Sequence, residues 1–516
     1  MTKSSSKLKE TCRIYLRSEE RTIKATVGAN LRSALMDASY YFPQNCGGKG
    51  QCGHCRVEIH GYPPKMRHRE RELLGKSSSQ RMACLYKVTE DIEISLPDVQ
   101  EWLIEKSITD FDFAGIVGDR YGIAVDLGTT VVALYLVSFN CGEIVTQYSF
   151  LNPQVHLGGD VMTRLDMAKK EGQRRDLTKA IRQGFKVGVK KLLIRQGLSE
   201  RDIAKLFLAG NTAMLHLLLG RGGEGLEVAP FRSPLEELDK IHLQPDWFDL
   251  TDDCTCAACP VIRGFIGGDT ISAIVATDLD RGEGNRLLID LGTNGEIVLA
   301  VKGTLQAVST AAGPAFEGVG LHNGMPAVKG AVEGFDDQGN PFVIGGGQPV
   351  GFCGSGYIAA IARLLKSGKL DNTGLLDKDE NEIRRWVLEQ PEGRHISVIQ
   401  DDIRKFQLAK GAIAAGITIL CKETGINPLE VDQVIITGSF GNRIDIPAAM
   451  KVGLIPAVGI EKVTFLDNAA GRGALLCLGN AHFERRAENL HRLVRIINLG
   501  EHPDFQDAYI ANMSFK

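Results

Sequence analysis

Cys46, Cys52 and Cys55 stand within the run NCGGKGQCGHC, residues 45–55, and Cys84 follows after 28 residues in RMACLYK. The chain has 12 cysteines in 516 residues, far below the density of a disulfide scaffold. In a reducing compartment, clustered thiols point to metal or redox chemistry. Three bunched ligands and one distant ligand form the pattern that holds an iron–sulfur cluster through four thiolates. A structural zinc site is the alternative, but it prefers two paired hooks. Gly47, Gly48, Gly50 and Gly53 allow the loop to fold tightly around a cluster, with backbone N–H groups aimed at sulfur. Lys49 and His54 either tune that site or face a partner; as solvated loop side chains they would do neither.

A second set of residues suits phosphate chemistry. YGIAVDLGTTVVALYLV begins at Tyr121, and the phrase returns as RLLIDLGTNGEIVLAV at 286–301. Each copy reads as strand, tight turn, strand. The turns Gly128-Thr129-Thr130 and Gly292-Thr293-Asn294 would expose N–H and hydroxyl groups that can wrap a phosphate. Asp126 and Asp290 are suited to holding Mg²⁺, mostly through water. VDQVIITGSFGNRID, 431–445, reads as a buried strand ending in a glycine-rich turn. There Gly438, Ser439 and Gly441 would let a nucleoside lie flat on the backbone. No P-loop motif competes. Asp269, after Gly267-Gly268, either orients an attacking water as a general base or caps a helix over 270–278; the two roles are compatible. The segment 206–220 reads as strand, turn, helix. GFCGSGYIAAIARLL at 351–365 reads as a glycine-rich start to an apolar helix, with tight packing the favoured reason. NAAGRGALLCLGN at 468–480 reads as a closing helix whose small residues allow close approach.

The elements that must position these groups fall into two parts. Residues 8–98 read as strand, strand, helix, cysteine loop, strand, strand. This order resembles the β-grasp ferredoxin fold. The cysteine spacing resembles the plant-type 2Fe–2S pattern with one extra residue in the first gap, as in adrenodoxin-like proteins. Expected boundaries are 1–98 for the ferredoxin-like domain, 99–120 for a connector and 121–516 for the larger part. Two DLGT hairpins followed by GSFG resemble the actin-like ATPase superfamily, a two-lobed α/β fold of RNase H-like type. The lobe boundary is expected near 265–285.

Together the parts resemble the reductive activators of corrinoid proteins. The phrases that carry this are GIAVDLGTTVVALYL, LAGNTAMLHLLLG, VIRGFIGGDT, LIDLGTNGEIVL, STAAGPAFEG, IITGSFGNRIDI and the tail RIINLGEHPDFQDAYIANMSF. The resemblance implies one-electron reduction of Co(II) to Co(I) in a corrinoid protein, with ATP hydrolysis. It implies a 2Fe–2S cluster, ATP and Mg²⁺ as cofactors. It also implies a low-potential donor such as a ferredoxin or flavodoxin, and it admits a homodimer. Some members carry an extra domain before the ATPase part, or 4Fe–4S clusters; here the ATPase part begins soon after residue 120. Ser309, Thr310 and Glu317 in VSTAAGPAFEG lie in a candidate loop facing either a partner or the nucleotide; a turn with ordinary caps is the alternative. Rival functions are a small-molecule kinase with a fused electron carrier, kept open by Asp269, and a redox-sensing regulatory ATPase. Activators of 2-hydroxyacyl-CoA dehydratases lack a ferredoxin domain.

DDCTCAACP adds Cys254, Cys256 and Cys259, whose spacing allows a metal, although incidental thiols are the favoured reading. Cys12, Cys141, Cys353, Cys421 and Cys477 are expected in the core. A net charge of -3 gives no broad attraction to nucleic acid. No apolar run is long enough to span a bilayer, and the N-terminus lacks a signal-peptide core, so a cytoplasmic protein is expected.

Overall fold

A computed structural model of the chain describes residues 11–17, 21–38, 50, 55–61, 65–74, 79–96, 108, 118–226, 228, 231–292, 294–389, 395–438 and 444–515. The connector 99–120 therefore lies outside the described residues except for Ile108 and 118–120. The chain divides into two units, Met1–Trp102 and Leu103–Lys516.

The smaller unit is built on a five-stranded sheet. Its order is Arg21–Thr26, Thr11–Leu16, Ile92–Ser95, Arg56–His60, Gln80–Met82. Thr11–Leu16 alternates between exposed and buried positions, so Cys12, Ile14 and Leu16 face inward. That period of two is what a sheet with one wet face requires. The helix Leu31–Asp37 packs over the sheet through the buried Leu31 and Leu35. Each such side chain contributes about 1.5–3 kcal/mol on burial.

The larger unit has two lobes, each on a six-stranded sheet, and five strands of each follow the same order; the sixth, Ile241–His242 or Val494–Ile496, joins opposite ends of the two sheets. In the first lobe the antiparallel run Glu143–Leu151, Val131–Ser138, Tyr121–Leu127 is joined in parallel by Ile203–Gly210 and then Thr255–Ala258. In the second lobe Thr304–Thr310, Gly295–Val301 and Arg286–Leu291 are joined in parallel by Gln433–Gly438 and Val463–Phe465. The inner parallel strands Ile203–Gly210 and Gln433–Gly438 are buried over most of their length, as strands covered on both faces are. Equivalent positions carry equivalent residues. Leu127 pairs with Gly210 in one lobe and Leu291 with Gly438 in the other.

Each fifth strand leads to a helix, Gly268–Ala276 in one lobe and Ala469–Gly479 in the other, and the two helices cross. A β-carbon on Gly473 would lie 2.0 Å from the Ser272 carbonyl oxygen. The close approach therefore requires glycine. The small residues expected to permit close packing do so here, and likewise at Gly356, where a β-carbon would lie 2.0 Å from the Val332 oxygen.

Two expectations need correction. Cys141 is exposed, in the turn after Val131–Ser138, while Cys12, Cys353, Cys421 and Cys477 are buried. The apolar residues around it belong to the strand that ends just before it. The helix expected over 270–278 spans Gly268–Ala276, with Gly267 at its N-cap position. Two glycines gave no side-chain signal for the earlier start.

Candidate functional site

In the smaller unit Cys55 opens the strand Arg56–His60, and Cys84 lies just beyond Gln80–Met82. The pairing of Arg56 with Met82 brings these ends together. Both cysteines are buried. The Cys84 N–H points at the Cys55 sulfur, 3.4 Å away, and the Ala83 N–H donates to the Cys55 carbonyl at 2.7 Å. Asn30 holds the Cys84 carbonyl at 2.7 Å. An amide aimed at sulfur favours thiolate over thiol, so these two positions fit a cluster. Cys46 and Cys52 lie outside the described residues.

In the larger unit Asp126 is buried near the end of Tyr121–Leu127, and the turn Gly128-Thr129-Thr130 follows it. Side chains from behind hold that turn. Asn152 donates to the Gly128 carbonyl at 2.9 Å, and Asn211 to the Thr129 hydroxyl at 3.1 Å. Asp290 occupies the equivalent place on Arg286–Leu291. Gly292 donates its N–H to the Asn294 carbonyl at 3.0 Å, closing the second turn. Thr293, Ser439 and Gly441 lie outside the described residues. Gly438 has φ +118, and a β-carbon there would meet the Leu291 oxygen at 2.2 Å, so glycine is required.

Asp269 sits in the first turn of Gly268–Ala276, and its carboxylate accepts the Thr270 N–H at 2.8 Å. Burial, then the charges of Asp290 and Asp126, push its carboxyl up to about 7. The three aspartates singled out in the sequence therefore share one electrostatic neighbourhood. Glu296 joins them, raised well above the usual range by burial and by Asp269 and Asp290. It stands directly across the hairpin from Asp290 and accepts the Ser309 hydroxyl at 3.4 Å. Sequence reasoning passed over Glu296. Its signal was the hairpin register, which places residue 296 opposite residue 290 on one face.

Behind the cleft, Asn468 takes a left-handed conformation at φ 39. Its amide donates to the Tyr135 hydroxyl at 2.5 Å, and its oxygen accepts the Gly471 N–H at 3.0 Å. The next residue, Ala469, donates to the Thr437 hydroxyl at 3.1 Å. One turn thus ties the strand ending at Gly438 to the first lobe's sheet.

A cavity of about 690 Å³ opens beside the cleft. Asn294, Ser309 and Thr310 line one wall, Arg263 belongs to the loop before Asp269, and His502 and Phe505 come from the C-terminal tail. Cys254 and Cys256 lie 3.7 Å apart, sulfur to sulfur, and burial pushes the Cys259 thiol up to about 12. Among the described residues these cysteines form no metal-binding group. No helix among the described residues is long and apolar enough to cross a membrane.

Three family models match the chain. Residues 14–89 match a 2Fe-2S iron-sulfur cluster binding domain, 121–282 the RACo middle region, and 284–516 the C-terminal domain of RACo, the ASKHA domain. The corrinoid activation enzyme RamQ of Eubacterium limosum is 33% identical over 418 residues, covering 77% of this chain and 70% of that protein. The Co(II) methylated amine-specific corrinoid protein reductase of Methanosarcina barkeri is 23% identical over 430 residues, covering 77% of each. A solved reductive activator for a corrinoid, iron–sulfur protein superposes with a TM-score of 0.69 at 22% identity, covering 98% of both chains. That last likeness concerns the fold. With a ferredoxin-type unit, an actin-like ATPase unit and a relative of this identity and coverage, the chain belongs to the family of corrinoid activation enzymes.

Proposed function

We infer that the protein is an ATP-dependent reductive activator, which returns a corrinoid protein from Co(II) to Co(I) by delivering one electron. The observation that carries this is the presence, in one chain, of Cys55 and Cys84 held together through the Cys84 N–H and the Cys55 sulfur, and of an acidic neighbourhood beside the glycine turns of the two lobes. Cys46, Cys52, Cys55 and Cys84 would hold the 2Fe–2S cluster, which when bound supplies the one-electron carrier. Gly128, Thr129, Thr130, Gly292, Thr293 and Asn294 would take the phosphates. Gly438, Ser439 and Gly441 would take the nucleoside.

Asp126, Asp269, Asp290 and Glu296 share one electrostatic neighbourhood, in which burial and neighbouring acids raise the carboxyls of Asp269 and Glu296. A divalent cation is the natural complement of such a neighbourhood, and Asp126 and Asp290 would hold Mg²⁺, mostly through water. Asp269 would orient the attacking water. Nucleotide would bind the two lobes together and so favour one partner complex over another, which lets hydrolysis bias electron delivery. Of the two hydroxyls singled out in the sequence, Thr310 is buried and donates to the Gly295 carbonyl at 3.2 Å, which leaves the half-buried Ser309, beside Glu296, as the candidate on the nucleotide side. A ferredoxin or flavodoxin is the proposed donor, and a homodimer the proposed assembly.

The test mixes purified protein, a low-potential reductant, Mg²⁺–ATP and a Co(II) corrinoid protein and follows the Co(I) absorbance. Co(I) that forms only with ATP supports the reading. Co(I) formation at the same rate without ATP overturns it, and phosphorylation of a small-molecule acceptor would favour the kinase reading that Asp269 keeps open.

A further inference from the structure

The chain is polarised in charge. Met1–Trp102 holds 17 lysines and arginines against 12 acids, and the rest of the chain holds 43 against 51. The small unit is net basic on an acidic body.

Among the described residues, part of that charge is ion-paired. Arg13 and Arg17 are matched by Asp91 and Glu93 at 3.1 and 2.6 Å. The segment KMRHRER, 65–71, is different. It contains one acid, Glu70, and that acid is buried, accepting the Met82 N–H and the Arg67 N–H, each at 3.0 Å. The carboxylate is spent on backbone donors, while Lys65, Arg67, His68 and Arg71 are exposed. Among the described residues no carboxylate pairs with Lys65, Arg67 or Arg71. Glu70 also anchors the segment at Met82, two residues before Cys84 and opposite Arg56, which follows Cys55. The basic face therefore borders the cysteines.

We propose that this face, centred on Lys65 and Arg67, is the docking surface for an acidic one-electron carrier protein that reduces the cluster. The inference rests on reading the small unit as the electron-accepting part of the chain. One electron leaves the reduced carrier and one enters the cluster; no bond or proton moves. Charge steering raises the encounter rate of separate molecules. A tethered domain already meets its own body at millimolar effective concentration, so steering would add little to an intramolecular docking. An acidic carrier would be drawn to the unit that holds the cluster and held off the acidic remainder. The helix Glu171–Gln196 in that remainder is itself basic, Arg174, Arg175, Lys179, Arg182 and Lys186 lining a groove, and it supplies the control.

The experiment uses the full chain with its cluster, without ATP or corrinoid protein, so it stands or falls apart from cobalt reduction. Reduced flavodoxin is the probe, with cluster bleaching read by stopped flow and binding read from the fluorescence of oxidised flavodoxin. The wild-type rate should fall steeply as ionic strength rises. Lys65→Glu with Arg67→Glu should slow reduction about tenfold or more at low salt, weaken binding in parallel and flatten the salt dependence. Reduction by photoreduced 5-deazariboflavin and the cluster absorbance should be unchanged. Lys179→Glu with Lys186→Glu should leave the flavodoxin rate unchanged.

A wild-type rate indifferent to salt, or rising with it, overturns the proposal even if the double variant loses its cluster. So does a cluster-loaded Lys65→Gln, Arg67→Gln variant that keeps the wild-type rate, or an equal loss from the control. If the substitutions slow cobalt reduction while flavodoxin still reduces the cluster normally, the face belongs to the corrinoid protein and the proposal fails.

Discussion

Asp290 and Glu296 face each other across one hairpin, a directly opposed pair of acids on neighbouring strands. Like charges so placed cost about 0.2–1 kcal/mol. Glu296→Gln should therefore raise the urea midpoint of the metal-free protein while lowering ATP hydrolysis. Tryptophan fluorescence gives the first reading and phosphate release the second. A variant that hydrolyses ATP at the wild-type rate would remove Glu296 from the site.

Asp290→Asn keeps the shape of the turn and removes one charge. Loss of a metal-directed carboxylate in a desolvated cleft costs on the order of a few kcal/mol, so hydrolysis should drop about 100-fold or more. Iron content and reduction by dithionite should be normal, while Co(I) formation should fail.

Cys84→Ala should lose the cluster, because three thiolates leave one iron under-coordinated. Iron and sulfide assays on anaerobically purified protein check this. Replacing Cys254, Cys256 and Cys259 together should leave iron content unchanged.

The carboxyl of Asp269, raised from 3.8 to about 7, gives stability a definite slope. Below pH 4 the group is protonated both folded and unfolded, and its favourable contribution is fully present. Between about 4 and 7 the folded state holds a proton that the unfolded chain releases, so stability is lost as pH rises. The loss is on the order of a few kcal/mol, shared with Glu296, which shifts in the same direction. In metal-free buffer the urea midpoint should fall from pH 5 to 8, and Asp269→Asn should flatten part of that fall. A midpoint that rises over the same range would contradict the buried acidic cleft.

Asn468→Ala removes both the cap at Gly471 and the bond to Tyr135, at a residue with positive φ. A cap is worth about 1 kcal/mol, and the left-handed conformation costs alanine about 1 kcal/mol more. Asn468→Gly keeps the backbone conformation and should lose less. Urea unfolding of the two variants ranks them.

Much of this was legible before any coordinates. Repeated DLGT hairpins pointed to two strand–turn–strand units, which the structure has, because tight turns demand glycine locally. The cysteine spacing pointed to the iron–sulfur domain that the family match also finds over 14–89, because ligand geometry is written into short intervals. What was hidden depends on distant partners. Glu296 reads as an ordinary strand residue until its register opposite Asp290 is known. Asn468 reads as a loop asparagine until Tyr135, 333 residues away in sequence, supplies its partner. The helix start at Gly268 was missed because glycine carries no capping side chain. Cys141 was misplaced because its apolar neighbours belong to the preceding strand.

The two crossed helices, meeting where Gly473 lies against Ser272, each follow the fifth strand of sheets that share a five-strand order. Two sheets of like plan that meet through one helix each repeat, within a single chain, the pattern of an isologous pair, in which both sides use the same kind of patch. An isologous pair presents two identical half-sites across a dyad. In the present chain the two sides differ. Asn211 follows Gly210 on one side, and Ser439 follows Gly438 on the other. One plan used twice would give a single cleft two different halves with which to recognise a nucleotide.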